Sequence, residues 1–417
     1  MSQKNTLPSF TPILIVGAGP AGATASLTLS HLGMEHLIID KATFPRDKIC
    51  GDGLDLKIPR IFKHLNRPEW TEELLNTPDI FLPAWGVRMV APNGRATDNI
   101  YTPPADTKAY PPFVTAKRQD FDNFLVNKIA SPYADLRTDA SLEALRRTPQ
   151  GWEADILYQN QLQTVACQLL MAADGDHSTI LRHLQQRKID RVHYASSVRV
   201  YYKNVAGLHP QNLIEFHFRK ELPMGYFWIF PLPNGCANVG LGIQSRIAAE
   251  RDVNLRAVLD KLLYHTPDIS PRFEQAQALE PVKGWGIPLA SRRRNCVGDN
   301  YMLLGDAASL VNPLNGEGIG TAMLSGYIAA HYAQKAIQRN NFTAQTLAGY
   351  EQDMSLRLQD EVKAYNMALR FDHKRWYFPT LNTLFALNIP NRWMKKSMHQ
   401  WHNTAFEQEI KLRFLNQ

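Results

Sequence analysis

Gly17, Gly19 and Gly22 follow directly on the apolar run Ile13-Leu-Ile-Val16 at the spacing GxGxxG, and a second apolar run, Leu37-Ile38-Ile39, ends on the acid Asp40. These residue types in this order hold a dinucleotide. Gly17 permits a tight turn, Gly19 lets backbone N–H groups approach a pyrophosphate, and Gly22 lets a helix pack closely on a sheet. The helix begins near Pro20, with Ala21 in its first turn, and points the positive end of its dipole at the phosphates. Asp40, with Lys41 beside it, stands where a ribose 2′-OH would donate a hydrogen bond. The unit predicted is strand, glycine turn, helix, strand.

A second candidate lies far along the chain. Tyr301 to Ala308 reads as a buried strand ending in Gly305-Asp306, where an acid meets another ribose or ribityl hydroxyl. The chain then runs through Asn312-Pro-Leu-Asn-Gly316-Glu-Gly318 into a helix opening at Ile319, so another set of backbone N–H groups faces an electron-rich ligand edge. Between the two, Ala172 to Arg182 carries Asp174-Gly175. Three separated blocks imply one discontinuous cofactor domain with other material inserted into it.

The elements that position these blocks can be read from pattern. Arg118 to Ala130 has helical apolar spacing at Phe121, Phe124, Leu125 and Ile129. From Val192 to Ile243 the pattern changes to strands, and Asn254 to His265 looks helical. After Gly316 the chain is largely helical, with Pro379 and Pro390 expected to break its C-terminal part. The fold class expected is α/β, α+β overall: a Rossmann-like cofactor domain from 1–75, 111–185 and 291–345, an inserted antiparallel β-rich substrate domain from 76–110 and 186–290, and a helical region from 346–417.

Composition narrows the class of partner. The chain has 417 residues, 44% hydrophobic, enough for sizeable cores. Its net charge of +7 fits an anionic partner, but no motif for nucleic acid is present. Cys50, Cys167, Cys236 and Cys296 are scattered without a C-x-x-C pair, which argues against a zinc site or disulfide framework and for a reducing compartment. The first residues lack a signal pattern and no run reaches the ~18 to 20 apolar residues of a membrane span, so the expectation is cytoplasmic. Between Arg370 and His402, six Lys/Arg against one acid interleave with Trp376, Tyr377, Phe378, Phe385, Trp393 and Trp401. That composition suits peripheral contact with a lipid headgroup boundary on the inner face of the membrane; it equally makes a capping helical subdomain.

Gly17 to Gly22, Arg118 in KRQDF, Asp174-Gly175 in ADGDHSTILR and Gly305-Asp306 together resemble the FAD-binding signatures of the p-hydroxybenzoate-hydroxylase-like flavoproteins. The resemblance implies FAD as cofactor, Asp40 at the adenosine ribose, Asp306 at the pyrophosphate–ribityl region and the 312–318 loop at the isoalloxazine. Phe44-Pro-Arg46-Asp-Lys-Ile-Cys50-Gly51 and Tyr226-Phe-Trp228-Ile-Phe230-Pro231 resemble segments of the geranylgeranyl reductase family, and the 312–323 segment is similar to its bacterial branch acting on menaquinone side chains. The similarity covers roughly residues 11 to 330.

Read physically, Cys50 follows the cations Arg46 and Lys48, where a thiol assists proton or electron delivery or simply packs as a small hydrophobe. Strand alternation puts Tyr226, Trp228 and Phe230 on one face, an aromatic wall suited to a polyprenyl chain. The function expected is saturation of C=C bonds in an isoprenoid or prenylated lipid. With one complete dinucleotide fingerprint, electrons come from an external donor, NADPH or a reduced carrier. Two alternatives stay open. One is a flavin monooxygenase or halogenase on the same scaffold, although Tyr226 and Phe230 stand where halogenases carry tryptophan and isoleucine. The other is a non-catalytic prenyl-binding protein.

Overall fold

Strand Phe10–Val16 sits at the centre of a parallel array, because Ile13, Leu14 and Ile15 are apolar on both faces and fully buried. The computed structural model describes residues 6–103, 110–185, 189–292 and 295–371, with 374, 376–387, 389, 392 and 412. In it, Phe10–Val16 pairs in parallel with His36–Asp40 on one side and Gln161–Ala172 on the other. Ala134–Thr138 extends the array beyond the first neighbour and Tyr301–Leu303 beyond the second. The three separated sequence blocks therefore end side by side. Gln161–Ala172 is long enough to serve twice: its first half also pairs antiparallel with Gly151–Tyr158, which in turn pairs with Ala140–Thr148.

Helix Pro20–His31 is buried from Pro20 to Leu29, so its small residues are needed on every face. Helix Ile319–Gln338 crosses it at very short range. A Cβ on Gly326 would lie 2.1 Å from the Ala21 carbonyl oxygen. This crossing pins the glycine turn to the C-terminal block.

The second large sheet runs in the order Gln277–Ala278, Tyr194–Lys203, Cys236–Gln244, Gly225–Leu232, Ile214–His217, Gly86–Val90, Ala96–Ile100. Lys283–Pro288 also pairs with Tyr194–Lys203. The sheet is antiparallel, as expected, except where Ile214–His217 meets Gly86–Val90 in parallel. One face is covered by helix Leu255–His265, whose Leu259, Leu262 and Leu263 pack with Phe227, Ile229, Val239 and Leu241. The other face carries Trp228 and Phe230 with Tyr226, Phe216, Ile214 and Val87. A small sheet of Gly53–Asp55, Phe113–Thr115 and Leu82–Ala84 stands beside it, tied across by the Thr115 hydroxyl donating to the Pro231 carbonyl at 2.5 Å.

Ala344–Leu369 and Tyr377–Ala386 form the described C-terminal helices. Pro379 does not break the second. It lies in the first turn, where the backbone N–H has no intrahelical acceptor to lose. Pro390, Trp393 and Trp401 lie outside the described residues. No helix among those described is long and apolar enough to cross a membrane.

Gly326→Val forces branched carbons into the Ala21 backbone, and the expected loss of stability is about 2–3 kcal/mol. Urea unfolding monitored by circular dichroism measures it.

Candidate active site

A cavity of about 730 Å³ opens between the sheets, a size typical of small-molecule and cofactor sites. Gly17, Gly19, Ala21, Asp40 and Lys41 line one end. Gly17 has φ +101°, its N–H donates to the Ile39 carbonyl at 2.7 Å, and a Cβ there would strike the Ala173 carbonyl oxygen at 2.4 Å. Asp40 accepts the Ala18 N–H through Oδ2 at 2.7 Å and the Ala42 N–H through Oδ1 at 2.9 Å, bracing the turn from beneath. Each oxygen keeps a further lone pair for a ligand hydroxyl. Gly22 and Gly305 do not line the cavity. Gly22 gives room to the Gly17 carbonyl, and Gly305 fits between the methyl groups of Ala21 and Ala322, so both act in packing.

Arg46 and Arg118 enter the wall from two directions and share one acid. Arg118 opens helix Arg118–Asn127 and forms a bidentate pair, 2.8 Å on each arm, with the fully buried Asp122 one turn on. Arg46 reaches the same carboxylate at 3.1 Å. Two guanidiniums on one carboxylate leave a net positive charge at the cavity. Lys48 adds another, its ammonium 3.5 Å from the centroid of the Trp285 ring. Burial lowers the Lys48 pKa to about 8, with Arg118 and Arg46 pushing the same way and Asp306 opposing.

Asp174, Asp306, Gly316, Gly318 and Ile319 line the wall on the side of the C-terminal block. Asp174 Oδ2 accepts the Thr179 and Ile180 N–H groups, whereas its buried Oδ1 has no partner among the described residues. Burial raises the Asp306 pKa against the pull of Lys48 and Arg118. Glu317 accepts the Gly320 and Thr321 N–H groups and so occupies the start of helix Ile319–Gln338. Lys57 bridges Glu317 at 2.9 Å and Asp55 at 2.5 Å. Burial works against its charge, but the two carboxylates win and hold the ammonium protonated.

Cys50 and Gly51 lie where these groups meet the aromatic wall. Ring centroids of Phe216 and Tyr226 are 5.1 Å apart, Phe216 and Phe230 5.2 Å, and Tyr226 and Trp228 6.0 Å, a continuous edge-to-face surface. A Cβ on Gly51 would sit 3.5 Å from Phe230, so the loop backbone packs against that wall. The Tyr226 hydroxyl donates to the Asn315 carbonyl at 2.5 Å. Burial pushes the Cys50 thiol pKa up, against Arg118, which keeps the thiol protonated at neutral pH.

Several residues of this site escape sequence inspection. Asn238 donates to the Cys50 carbonyl at 2.7 Å and to Asp52 Oδ2 at 2.8 Å, while its own oxygen accepts Trp228 Nε1–H at 2.8 Å. It shares the otherwise apolar strand Cys236–Gln244 with a second amide, Gln244, so the sequence does not single it out. Asp122 was detectable four residues after Arg118 on one helix face. Lys57 and Asp55 gave no local sign, nor did Tyr201, whose hydroxyl donates to Asp52 Oδ2 at 2.7 Å.

The residues present fit FAD. The glycine turn forms a cradle that any Cβ at Gly17 would fill, the surplus guanidinium charge matches a pyrophosphate, and Asp174 Oδ1 is a buried acceptor lacking a donor. No group of His, Cys, Asp and Glu suited to a metal ion is found among the described residues.

Residues 10–360 match the FAD binding domain family. A menaquinone reductase from Mycolicibacterium smegmatis is 30% identical, covering 76% of this chain and 75% of that protein. A digeranylgeranylglycerophospholipid reductase from Methanococcus vannielii is also 30% identical, covering 81% and 80%. The crystal structure of a geranylgeranyl bacteriochlorophyll reductase-like protein from Thermoplasma acidophilum shares the fold, with TM-score 0.79, 22% identity and coverage of 96% and 97%. From the glycine turn through the C-terminal block, and across most of the length of these relatives, the chain belongs to the FAD-dependent oxidoreductases of the geranylgeranyl reductase family.

Proposed function

We propose that this chain is an FAD-dependent reductase that saturates carbon–carbon double bonds in an isoprenoid chain carried by a quinone or lipid. The observation that carries the reading is the aromatic wall of Tyr226, Trp228 and Phe230, which lines the same cavity as the glycine turn and is backed by the Cys50 loop. Support comes from the two relatives, whose named substrates differ in headgroup and have isoprenoid chains in common.

Bound and reduced, FAD supplies a hydride. The chain holds it through the glycine turn, with Asp40 at the adenosine ribose, Arg46 and Arg118 offering positive charge to the pyrophosphate, and Asp174, Asp306 and the 316–319 turn on the opposite wall. The aromatic wall fixes an alkene that has no polar handle and keeps water from the reacting carbons. Cys50, held as the neutral thiol, offers a proton beside that wall. The electron donor is external, NADPH or a reduced carrier. We also read Trp376, Leu387 and Ile389, all exposed on the C-terminal segment near Arg370 and Lys374, as a peripheral lipid contact.

Anaerobic incubation of dithionite-reduced holoprotein with polyprenyl quinones or lipids is expected to add two hydrogens per bond saturated, read by mass spectrometry. Substrate-dependent oxygen uptake without saturation would instead assign a monooxygenase. Trp228→Ala removes a wall panel and its bond to Asn238, and kcat/KM is expected to fall about tenfold, ~1.4 kcal/mol, with FAD content retained. Asp40→Ala leaves the Ala18 and Ala42 N–H groups without their acceptor, and the expected cost is about tenfold in FAD affinity, measured by fluorescence titration of the apoprotein.

A further inference from the structure

Helix Ile319–Gln338 starts on the cavity wall, and a helix start carries about half a positive charge together with N–H groups that lack intrahelical acceptors. Left open, that end would favour negative charge on a ring lying against the 316–319 turn. In this chain acids cover it. Glu317 Oε1 accepts the Gly320 N–H at 2.6 Å and the Thr321 N–H at 3.2 Å, and Oε2 accepts the Thr321 hydroxyl at 2.6 Å and the Lys57 ammonium at 2.9 Å. Four donors on its two oxygens hold the group as a carboxylate. Its backbone is fixed as well: the Glu317 N–H donates to the Asn315 side chain at 2.9 Å, and its carbonyl accepts the Asn312 N–H at 2.8 Å.

Asp55 stands at the same helix start. Its Oδ1 accepts the Lys57 backbone N–H at 3.0 Å, its Oδ2 takes the Lys57 ammonium at 2.5 Å, and a Cβ on Gly320 would lie 2.3 Å from Oδ1. Lys57 thus bonds to both acids, and two carboxylates with one ammonium leave a surplus negative charge. Three further acids and bases face this group. Asp306 Oδ1 lies 3.9 Å from where a Cβ on Gly318 would sit, with its charge offset by Lys48 and Arg118. Arg60 on helix Lys57–His64 and Glu361 on helix Ala344–Leu369 line the same cavity and add one charge of each sign.

We propose that Glu317 and Asp55, through their surplus charge at the helix start, disfavour the anionic form of the reduced flavin, which lowers its reduction potential and makes it a stronger hydride donor. The proposal rests on the FAD-dependent reading above, with the isoalloxazine beside the 312–318 loop. Two-electron reduction with uptake of one proton leaves a negative charge on the ring, and a second proton removes it. Fixed negative charge near the ring nitrogens opposes the first outcome and not the second. An alkene without an activating carbonyl is a poor hydride acceptor, so a strongly reducing cofactor suits it. Neither acid gives up or takes a proton in this role; both act through their field.

Glu317→Gln and Asp55→Asn each remove one negative charge at nearly constant shape. Holoprotein of wild type and variants is reduced anaerobically beside a reference dye over a pH series, and the reduced fraction is read by absorption. The slope of potential against pH halves where the reduced ring loses its second proton, and that break is expected about one pH unit lower in each variant. Above the break the flavin–dye equilibrium is expected to move about tenfold toward reduced flavin, ~30 mV for a two-electron couple, and below it the curves should converge. Variant potentials that match wild type above the break, or that move the other way, would overturn the proposal. So would a shift of equal size on both sides of the break, the mark of altered packing rather than of charge. If one variant sheds FAD the other decides, and loss of FAD from both also overturns the proposal, because the acids would then be holding the cofactor in place. No alkene enters this measurement. A holoprotein with the expected shifts that saturates no polyprenyl lipid sinks the reductase reading alone, and one that saturates lipid with unmoved potentials sinks only the role of the acids.

Discussion

The side-chain amide of Asn238 joins the two halves of the site. Its nitrogen donates to the Cys50 carbonyl and to Asp52, and its oxygen accepts from Trp228, so one planar group fixes the cysteine loop and the aromatic wall relative to each other. Asn238 has no exposed surface, and a buried amide with its hydrogen bonds made tolerates little displacement. The loop belongs to the segment that follows the glycine-turn unit, and the wall belongs to the second sheet. The Tyr201 hydroxyl on Asp52 and the packing of Gly51 against Phe230 hold the same two pieces together.

Charge is arranged with the same economy. Near the glycine turn, Arg46 and Arg118 share Asp122 and leave the cavity positive. At the start of helix Ile319–Gln338 the balance reverses, with Lys57 between the acids Asp55 and Glu317. The helix end that would attract an anion is already satisfied by Glu317 from within the chain. A ligand with an anionic linker and a neutral ring system meets a suitable environment at each end.

How much of this could be read in the sequence follows from how local each interaction is. The glycine turn, its strand and Asp40 lie within a single 31-residue stretch, 10–40, and their spacing was sufficient. Arg118 was legible, and Asp122 could have been, because helical periodicity puts position i+4 beside i. The face carrying Tyr226, Trp228 and Phe230 followed from strand alternation. Asp52, Tyr201 and Asn238 were invisible because the contacts that give them meaning join residues 149 and 186 positions apart. The parallel pairing of Ile214–His217 with Gly86–Val90 is non-local in the same way. Pro379 misled for a different reason: proline interrupts a helix interior and is harmless in a first turn, and only the actual start of the helix decides which applies.

Trp228 rests directly on Gly240 across the strand pair, where a Cβ would come within 2.3 Å of the indole ring. The seat of the indole is therefore a joint property of two positions twelve residues apart in sequence. A side chain gained at 240 would meet the Val198 carbonyl oxygen at 2.5 Å as well as the indole, so shrinking the ring at 228 does not by itself admit it, and a chain that discards the indole leaves a hollow over bare backbone. Position 240 is thus held to glycine by backbone on one side and by the indole on the other, and a change at 228 relieves only the second.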